Sequence, residues 1–230
     1  MWYRPDLMLE NSNARPRIKE NFTVDKKILV QQVAQGITAT LDKQKYLCHV
    51  TLNVIFETKK DYTMEFILCL LNSSLVNAWF KQTYPTGLHF TINQLEAIPV
   101  PAISPDEQKP FVELADKMLS LNAEMQKKCA KFLSRVRDNL QVSKITSALE
   151  SFYTLSFGEF VKELGKQKIK LSLKDQDEWQ EYFDEYKAEI SALKADIDAT
   201  DKAINAAVYA LYGLTAEEIA AVEENSNAKS

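Results

Sequence analysis

The order of hydrophobic and polar positions divides the chain into a β-rich first part and a helical second part. Between Lys27 and Phe56 lie three runs rich in Val, Ile, Thr and Tyr, namely KILVQQV, GITATL and YLCHVTLNVIF, separated by short polar breaks. Such runs are typical of half-buried strands joined by turns. We therefore predict three strands, with a tight turn near Ala34–Gly36.

A helix is predicted directly after the strands. From Asp61 to Tyr84 the apolar residues recur at intervals of three and four, which indicates one amphipathic helix packed on the sheet. The segment that follows, PTGLHFTINQLEAIPVPAIS, is interrupted by three prolines and a glycine. We expect it to return in an extended, irregular form without regular helix.

Two long helices are predicted in the second part of the chain. The first begins at a capping box, Ser104–Glu107, and carries an apolar seam to Leu140. The second seam covers Trp179–Leu211, and Gly213 follows it as a C-terminal cap. Because two seams of similar length are available to each other, we expect an antiparallel coiled coil within the chain, with pairing to another chain as the alternative.

The fold class that follows is α+β, a small α/β lobe followed by long helices that form an antiparallel coiled-coil-like region. Further capping boxes at Ser156/Glu159 and Thr215/Glu218 predict two short helices. We place the lobe at residues 1–104, a helical region at 105–222 and a disordered tail at 223–230.

Composition excludes several classes of protein. The 230 residues contain 46% hydrophobic residues but no apolar run of the roughly 18 residues that a spanning helix needs, so we expect no membrane segment. The five glycines are widely separated, which argues against a phosphate-cradling loop and a nucleotide cofactor. Three scattered cysteines predict neither a disulfide framework nor a zinc site, and they favour a reducing, cytoplasmic location.

Candidate catalytic groups are few, and each has a simpler structural explanation. Cys48 and His49 are neighbours in a predicted strand, where adjacent side chains point to opposite faces. Fragments of a metal-dependent nuclease motif, such as Glu57-Thr58-Lys59, are short enough to occur by chance in a charged chain. We therefore predict no catalytic, cofactor-binding or metal-binding residue in this chain.

Charge is distributed unevenly between the two parts. Residues 1–104 carry 11 basic and 9 acidic side chains, and residues 105–230 carry 17 and 23. A polyanion would therefore meet the first part of the chain, although the excess is small and is also compatible with a solvated surface.

The order of several apolar motifs resembles a known family. The stretch FILCLLNSSLVNAWFKQTY, followed by TINQLEAIPVPAISPDEQKPFVELADKML, is similar to the TaqI-like C-terminal specificity domain of adenine-specific DNA methyltransferases and type IIG restriction-modification enzymes. The matching positions are Leu71-Asn72-Ser73, Trp79, Leu95, Ile98-Pro99, Pro101, Glu107-Gln108 and the run into Leu119. The later segments FGEFVKEL and INAAVYALYGLTAEEI resemble the helical region of the type IIG subgroup.

The resemblance implies a DNA-recognition module and not a complete enzyme. Residues 1–104 would be the target recognition lobe, and the helices a spacer. Neither the Asn-Pro-Pro-Tyr type motif nor the S-adenosylmethionine loop of the family's catalytic core occurs here, so that domain, with its S-adenosylmethionine, would lie elsewhere in the same polypeptide. The chain would bind double-stranded DNA and would select where adenine methylation, or cleavage, takes place.

Recognition loops in this family have no fixed motif, so the candidate DNA contacts rest on local character. They are basic, amide and aromatic side chains that can bind phosphates or base edges: Arg15, Arg17, Lys19, Gln31, Gln32, Lys81, Gln82, Tyr84, Thr86 and His89. Two alternatives stay open, a coiled-coil protein-interaction scaffold and a part of a type I specificity subunit.

Overall fold

The structure is a computed structural model that describes residues 22–34, 36–48, 51–58, 61–85 and 91–227. The chain forms two compact units: Met1–Asp116 together with Ala203–Ser230, and Lys117–Lys202. The fold class is α+β, as predicted from the sequence. The predicted borders at residues 104 and 222 stay predictions.

Within the described residues, the first unit contains an antiparallel sheet of three strands. These are β1 (Lys27–Gln31), β2 (Ala39–Asp42) and β3 (Leu52–Ile55), with β1 in the middle. The register sets Ile28 opposite Leu41 on β2. The three predicted strands are confirmed, although each is shorter than its apolar run.

One face of the sheet is buried against the helix that follows it. Ile28 and Val30 on the central strand are completely inaccessible, and Leu41 on β2 is nearly so. These side chains alternate along their strands, as burial of a single face requires. Helix α1 (Met64–Asn72) packs against β1 and β2 and contributes the fully buried Phe66 to the same core.

The single helix predicted over Asp61–Tyr84 is in fact two helices, and this prediction is wrong. Helix α1 gives way to α2 (Ser74–Thr83) at Ser73, whose backbone is extended (φ −64°, ψ 148°). The Ser73 hydroxyl donates to the Leu70 carbonyl oxygen at 2.7 Å and accepts from the Val76 N–H at 3.2 Å. Serine at this position therefore caps both helices, while the apolar spacing continues across the break and conceals it.

The irregular return predicted after α2 contains a short helix, which corrects that expectation. Helix α3 (Ile92–Glu96) begins at Thr91, which forms a capping box with Gln94 over distances of 3.0 and 3.3 Å. The box supplies partners for N–H groups of the first turn, so a single turn forms between the flanking chain breakers. Residues 99–104 lack regular structure, as predicted.

Two tyrosines fasten this irregular segment. The Tyr62 hydroxyl donates to the Pro101 carbonyl oxygen at 3.1 Å, and the Tyr212 hydroxyl donates to the Pro99 carbonyl oxygen at 2.6 Å. Burial raises the pKa of Tyr212, so its hydroxyl keeps the proton that it donates. The proline carbonyls thus find partners outside any helix or sheet.

The first long helix, α4, spans Pro105–Leu140, the bounds predicted from the sequence. Its predicted capping box is also confirmed, because the N–H and the hydroxyl of Ser104 donate to Glu107 Oε2 at 2.8 and 2.7 Å. Both hydrogen bonds lower the pKa of Glu107, and the bond from the Ser104 backbone N–H has the larger effect.

The second unit is helical throughout its regular structure. It contains most of α4, α5 (Ser147–Glu150), α6 (Phe157–Lys166) and the greater part of α7 (Leu173–Tyr212). The predicted capping box of α6 is present. The core consists of completely buried side chains from all four helices and from the turn after α5: Phe132, Val136, Leu149, Phe152, Phe160, Leu164, Phe183 and Ile190.

Helices α4 and α7 lie side by side in the second unit and run in opposite directions. Lys128 forms an ion pair with Glu189 at 2.9 Å, and the ring of Phe132 stacks on that of Tyr182 at 5.6 Å. Positions that rise along α4 therefore meet positions that fall along α7. This antiparallel arrangement agrees with the predicted fold, and a regular heptad seam stays a prediction.

The end of α7 agrees with the prediction, whereas the last helix extends further than predicted. Gly213 follows α7 with a φ of +68°, so the predicted glycine cap is confirmed. Helix α8 spans Ala216–Asn227, and residues 223–227, which we expected to be disordered, are helical. The segment is rich in Ala and Glu, which favour helix, and Glu223 accepts a hydrogen bond from Tyr209 at 2.6 Å.

Candidate nucleic-acid interface

The predicted DNA contacts divide between described and undescribed parts of the chain. Arg15, Arg17, Lys19, Thr86 and His89 lie outside the described residues, as does His49. The other five lie in the first unit, at the end of β1 and on or after α2: Gln31, Gln32, Lys81, Gln82 and Tyr84. No finding tests their role, and they stay predictions.

Gln31 is the last residue of β1, and Gln32 is the first residue of the connection to β2. We call this connection, together with Gln31, the β1–β2 turn (described residues 31–34 and 36–38). The exposed side-chain amide of Gln31 donates to the Val33 carbonyl oxygen at 3.0 Å, within this turn. The Gln32 N–H donates to the Thr51 carbonyl oxygen at 2.9 Å, just before β3. The Gln31 N–H donates to the Thr38 carbonyl oxygen at 2.9 Å, just before β2, so the two glutamines lie at a turn that is held from the β2 side and from the β3 side.

Lys81 lies beside the same turn, although it belongs to α2. A Cβ atom added to Gly36 would lie 3.6 Å from Lys81 Cε and only 2.6 Å from Asn77 Oδ1. A side chain at position 36 would therefore displace Asn77, because α2 approaches the turn closely here. The fold brings Lys81 to the turn that carries Gln31 and Gln32, which sequence spacing could not show.

Lys81 also differs from the other lysines of the first unit. Lys26, Lys27, Lys43, Lys45 and Lys109 each form an ion pair with an aspartate or glutamate. Among the described lysines of this unit, Lys81 alone makes no ion pair with a described residue. A lysine without a carboxylate partner among the described residues is a candidate for binding an anion such as a phosphate group.

Gln82 lines a hollow between α2 and α8. The hollow has a volume of about 640 Å³ and is lined by three polar side chains, Lys81, Gln82 and Asn225, and by apolar ones that include Trp79 and Val222. Asn225 was not among the predicted contacts, because nothing in the sequence indicates that the last helix lies next to α2.

Tyr84 has a structural explanation that its sequence position did not reveal. Its ring packs at 4.9 Å from Phe80 and edge-on at 6.3 Å from Trp79. Aromatic contacts of this kind stabilise the end of α2 whether or not a nucleic acid is bound.

A second concave surface of the first unit is apolar. It has a volume of about 700 Å³ and lies between β3 and α3, where Phe56, Ile92 and Val100 are exposed at 42%, 56% and 38%. Glu57 and Glu96 also line it. Acidic groups oppose binding of a phosphate backbone, so this groove differs in character from the surface near Lys81.

The described residues offer little for covalent or metal chemistry. No group of three or more His, Cys, Asp or Glu side chains in this part of the chain could hold a metal ion. Burial, with a smaller effect of Glu65, raises the pKa of the Cys69 thiol to about 12. Burial also raises the pKa of Cys129, so neither thiol forms the reactive thiolate at neutral pH.

Comparison with known families finds a match for the first part of the chain. Residues 6–100 match the family model of the TaqI-like C-terminal specificity domain. This segment is therefore similar to a TaqI-like specificity domain. Such a domain is the non-catalytic DNA-recognition module of restriction-modification enzymes, so the resemblance noted in the sequence is confirmed for residues 6–100.

The helical part matches a separate family. Residues 104–208 match a domain of unknown function (DUF8810), which covers α4 through most of α7. The curated proteins and the solved structures contain no match to this chain. In the described residues, no helix is both long and apolar enough to cross a membrane.

Proposed function

We propose that this chain is the DNA-recognition part of a restriction-modification DNA methyltransferase and directs adenine methylation to one short duplex sequence. The match of residues 6–100 to a TaqI-like specificity domain carries the proposal. The catalytic domain would belong to the same polypeptide, as in the type IIG enzymes that the sequence resembles. Where the enzyme also cleaves DNA, the same recognition lobe would select the site of cleavage. The enzyme would act in the cytoplasm.

The proposal assigns different tasks to different residues. Lys81, which has no carboxylate partner among the described residues, would bind a phosphate and fix the register of the lobe on the duplex. Gln31 and Gln32 would address base edges in the major groove, since a glutamine amide can pair bidentately with adenine.

S-adenosylmethionine would supply the methyl group in the catalytic domain, and no residue of this chain is assigned to it. The present chain would bind and orient the duplex, so that the target adenine can leave the base stack and enter the partner domain. The helices from α4 to α7 would serve as the spacer between the lobe and that domain.

A comparison of two lysine variants tests the assignment of Lys81. Binding of the 230-residue chain to a duplex would be measured between about 50 and 200 mM salt for the unchanged chain, Lys81→Ala and Lys194→Ala. Loss of one phosphate contact reduces the slope of log K against log salt by about 1. We expect this reduction for Lys81→Ala only, because Lys194 is an exposed residue of the second unit.

Equal slopes for the two lysine variants would contradict the role of Lys81. Affinity that does not change with salt, or the absence of duplex binding, would contradict DNA recognition by this chain. A protein-interaction scaffold predicts that result, whereas the specificity-domain match favours DNA recognition.

A further inference from the structure

Two asparagines bind the edge formed by the start of β2 and the residues just before it, on the side away from β1. Asn72 Oδ1 accepts from the Ala39 N–H at 2.9 Å, and Asn72 Nδ2 donates to the Ala39 carbonyl oxygen at 3.0 Å. Asn77 makes the same pair of hydrogen bonds with Ile37, at 2.6 and 3.4 Å. Each side-chain amide therefore takes the place of a neighbouring strand, which would supply the same donor and acceptor.

The break at Ser73 allows both amides to reach this edge. In an uninterrupted helix, side chains five residues apart point about 140° away from each other. Ile37 and Ala39 are alternate residues of one strand segment and offer their N–H and carbonyl groups on the same side. The extended Ser73 redirects the chain between the two asparagines, so that both side chains meet the strand.

Only Asn77 also contacts the β1–β2 turn. Its Oδ1 atom lies 2.6 Å from the position that a Cβ of Gly36 would take, and Lys81 Cε lies 3.6 Å from that position. The Asn77 Nδ2 atom donates in addition to the Ser73 carbonyl oxygen at 3.1 Å. Asn77 therefore joins the turn, the helix break and the turn of α2 that leads to Lys81.

We propose that Asn77 is a positioning residue for base recognition. It holds the turn that carries Gln31 and Gln32 at a fixed place relative to Lys81. This inference rests on the proposed function, because the amides that would contact bases and the lysine that would contact a phosphate must be in register with one duplex. A recognition site tolerates displacement of only about 0.5 Å from its productive geometry.

Asn72 offers a matched control, because Asn72→Ala removes the same two kinds of hydrogen bond from the same strand edge. The unchanged chain, Asn77→Ala and Asn72→Ala would each select from a randomised duplex library, and the enriched sequences would be counted. Since a displaced turn would weaken a bidentate base contact, we expect Asn77→Ala to lose about tenfold in enrichment of the preferred site. Asn72→Ala should lower the melting temperature by a similar amount but retain the preference.

A second variant perturbs Asn77 without changing it. The methyl group of Gly36→Ala would displace Asn77 Oδ1, so this variant should lose preference as Asn77→Ala does. In an Asn77→Ala background the obstructing oxygen is gone, and Gly36→Ala should then cause no further loss. When Gly36→Ala is combined with Asn72→Ala instead, the effects of the two changes should add.

The possible outcomes separate this inference from the function on which it rests. If the unchanged chain enriches no sequence, the proposed function fails and the inference with it. If the unchanged chain enriches a site but Asn77→Ala and Asn72→Ala alter its preference equally, only the inference fails. Additive effects of Gly36→Ala and Asn77→Ala would also overturn it.

Discussion

The side-chain oxygen of Gln108 accepts a hydrogen bond from the backbone N–H of Thr63 at 2.8 Å. Gln108 is completely buried, and its Nε2 atom donates to the Asp61 carbonyl oxygen at 2.5 Å. Thr63 caps α1 within the segment that matches the specificity-domain model, whereas Gln108 lies in the first turn of α4. One buried amide therefore ties together segments that match two different families.

Replacement of Gln108 should destabilise the first unit. Gln108→Ala removes the hydrogen bonds of a completely buried amide and leaves the half-buried Thr63 N–H without its partner, which should cost about 1–3 kcal/mol. The free energy of unfolding would be measured in urea. Lys109→Ala is the control, because the adjacent Lys109 is exposed, and its free energy of unfolding should remain near that of the unchanged chain. Equal losses in the two variants would contradict this role of Gln108.

The buried ion pair between Lys27 and Asp42 should make stability depend on pH. Burial raises the pKa of Asp42, but the hydrogen bonds from Lys27 and from the backbone N–H groups of Gln44 and Tyr46 outweigh it, and the net pKa is lowered. A carboxylate with a lowered pKa stabilises the folded state above its unfolded pKa of about 3.9. That stability is lost as the pH falls through the lower, folded value.

Asp42→Asn tests this pH dependence. At pH 7 the variant leaves the Lys27 charge buried without its partner, which should cost about 3–5 kcal/mol. The difference from the unchanged chain should shrink as urea denaturation is repeated toward pH 3. The exposed Asp25, which pairs with Lys45, provides the control Asp25→Asn, whose urea midpoint should not change measurably. A difference that stays constant with pH would contradict the account.

Two glycines should respond to alanine with opposite signs. Gly213 has a φ of +68°, so Gly213→Ala should destabilise the chain by about 1–2 kcal/mol. Gly158 lies in α6 with no atom within 4 Å of an added Cβ, so Gly158→Ala should stabilise by about 0.5–1 kcal/mol. Urea denaturation of both variants checks the two signs, and a shared sign would be inconsistent with this backbone assignment.

The aromatic core of the second unit should depend strongly on Phe132. Its ring is completely buried and stacks on Phe152 with the centroids 3.8 Å apart. Phe132→Ala should cost about 3–5 kcal/mol through lost burial and the cavity that remains. Leu173, which is 82% exposed, provides the control Leu173→Ala. Comparable losses of unfolding free energy for both variants would refute the proposed importance of this stack.

Local signals in the sequence predicted much of the helical structure. The capping boxes at Ser104, Ser156 and Thr215 set the starts of three helices, because the side-chain and backbone partners are only three residues apart. The start of α4 agreed for this reason, and its end at Leu140 agreed with the end of the apolar seam. The break at Ser73 was missed, since the apolar spacing that indicates a helix continues through it.

The candidate interface was predictable only as a set of residue types. Composition suggested Lys81 and the glutamines, but their proximity depends on contacts between positions about 40 residues apart, such as that of Asn77 with Ile37. Single-sequence periodicity contains no information about such contacts. For the same reason the place of Asn225 beside Gln82 could not be found before the fold was known.

Selection by the purified, unchanged chain from a randomised duplex library, followed by sequencing of the retained DNA, tests the central claim most directly. Enrichment of one short sequence, with retention that falls as salt is raised, is the result we expect from a recognition module. Retention of no DNA, or of DNA without any common sequence at low and moderate salt, would contradict the claim that this chain selects the site of methylation.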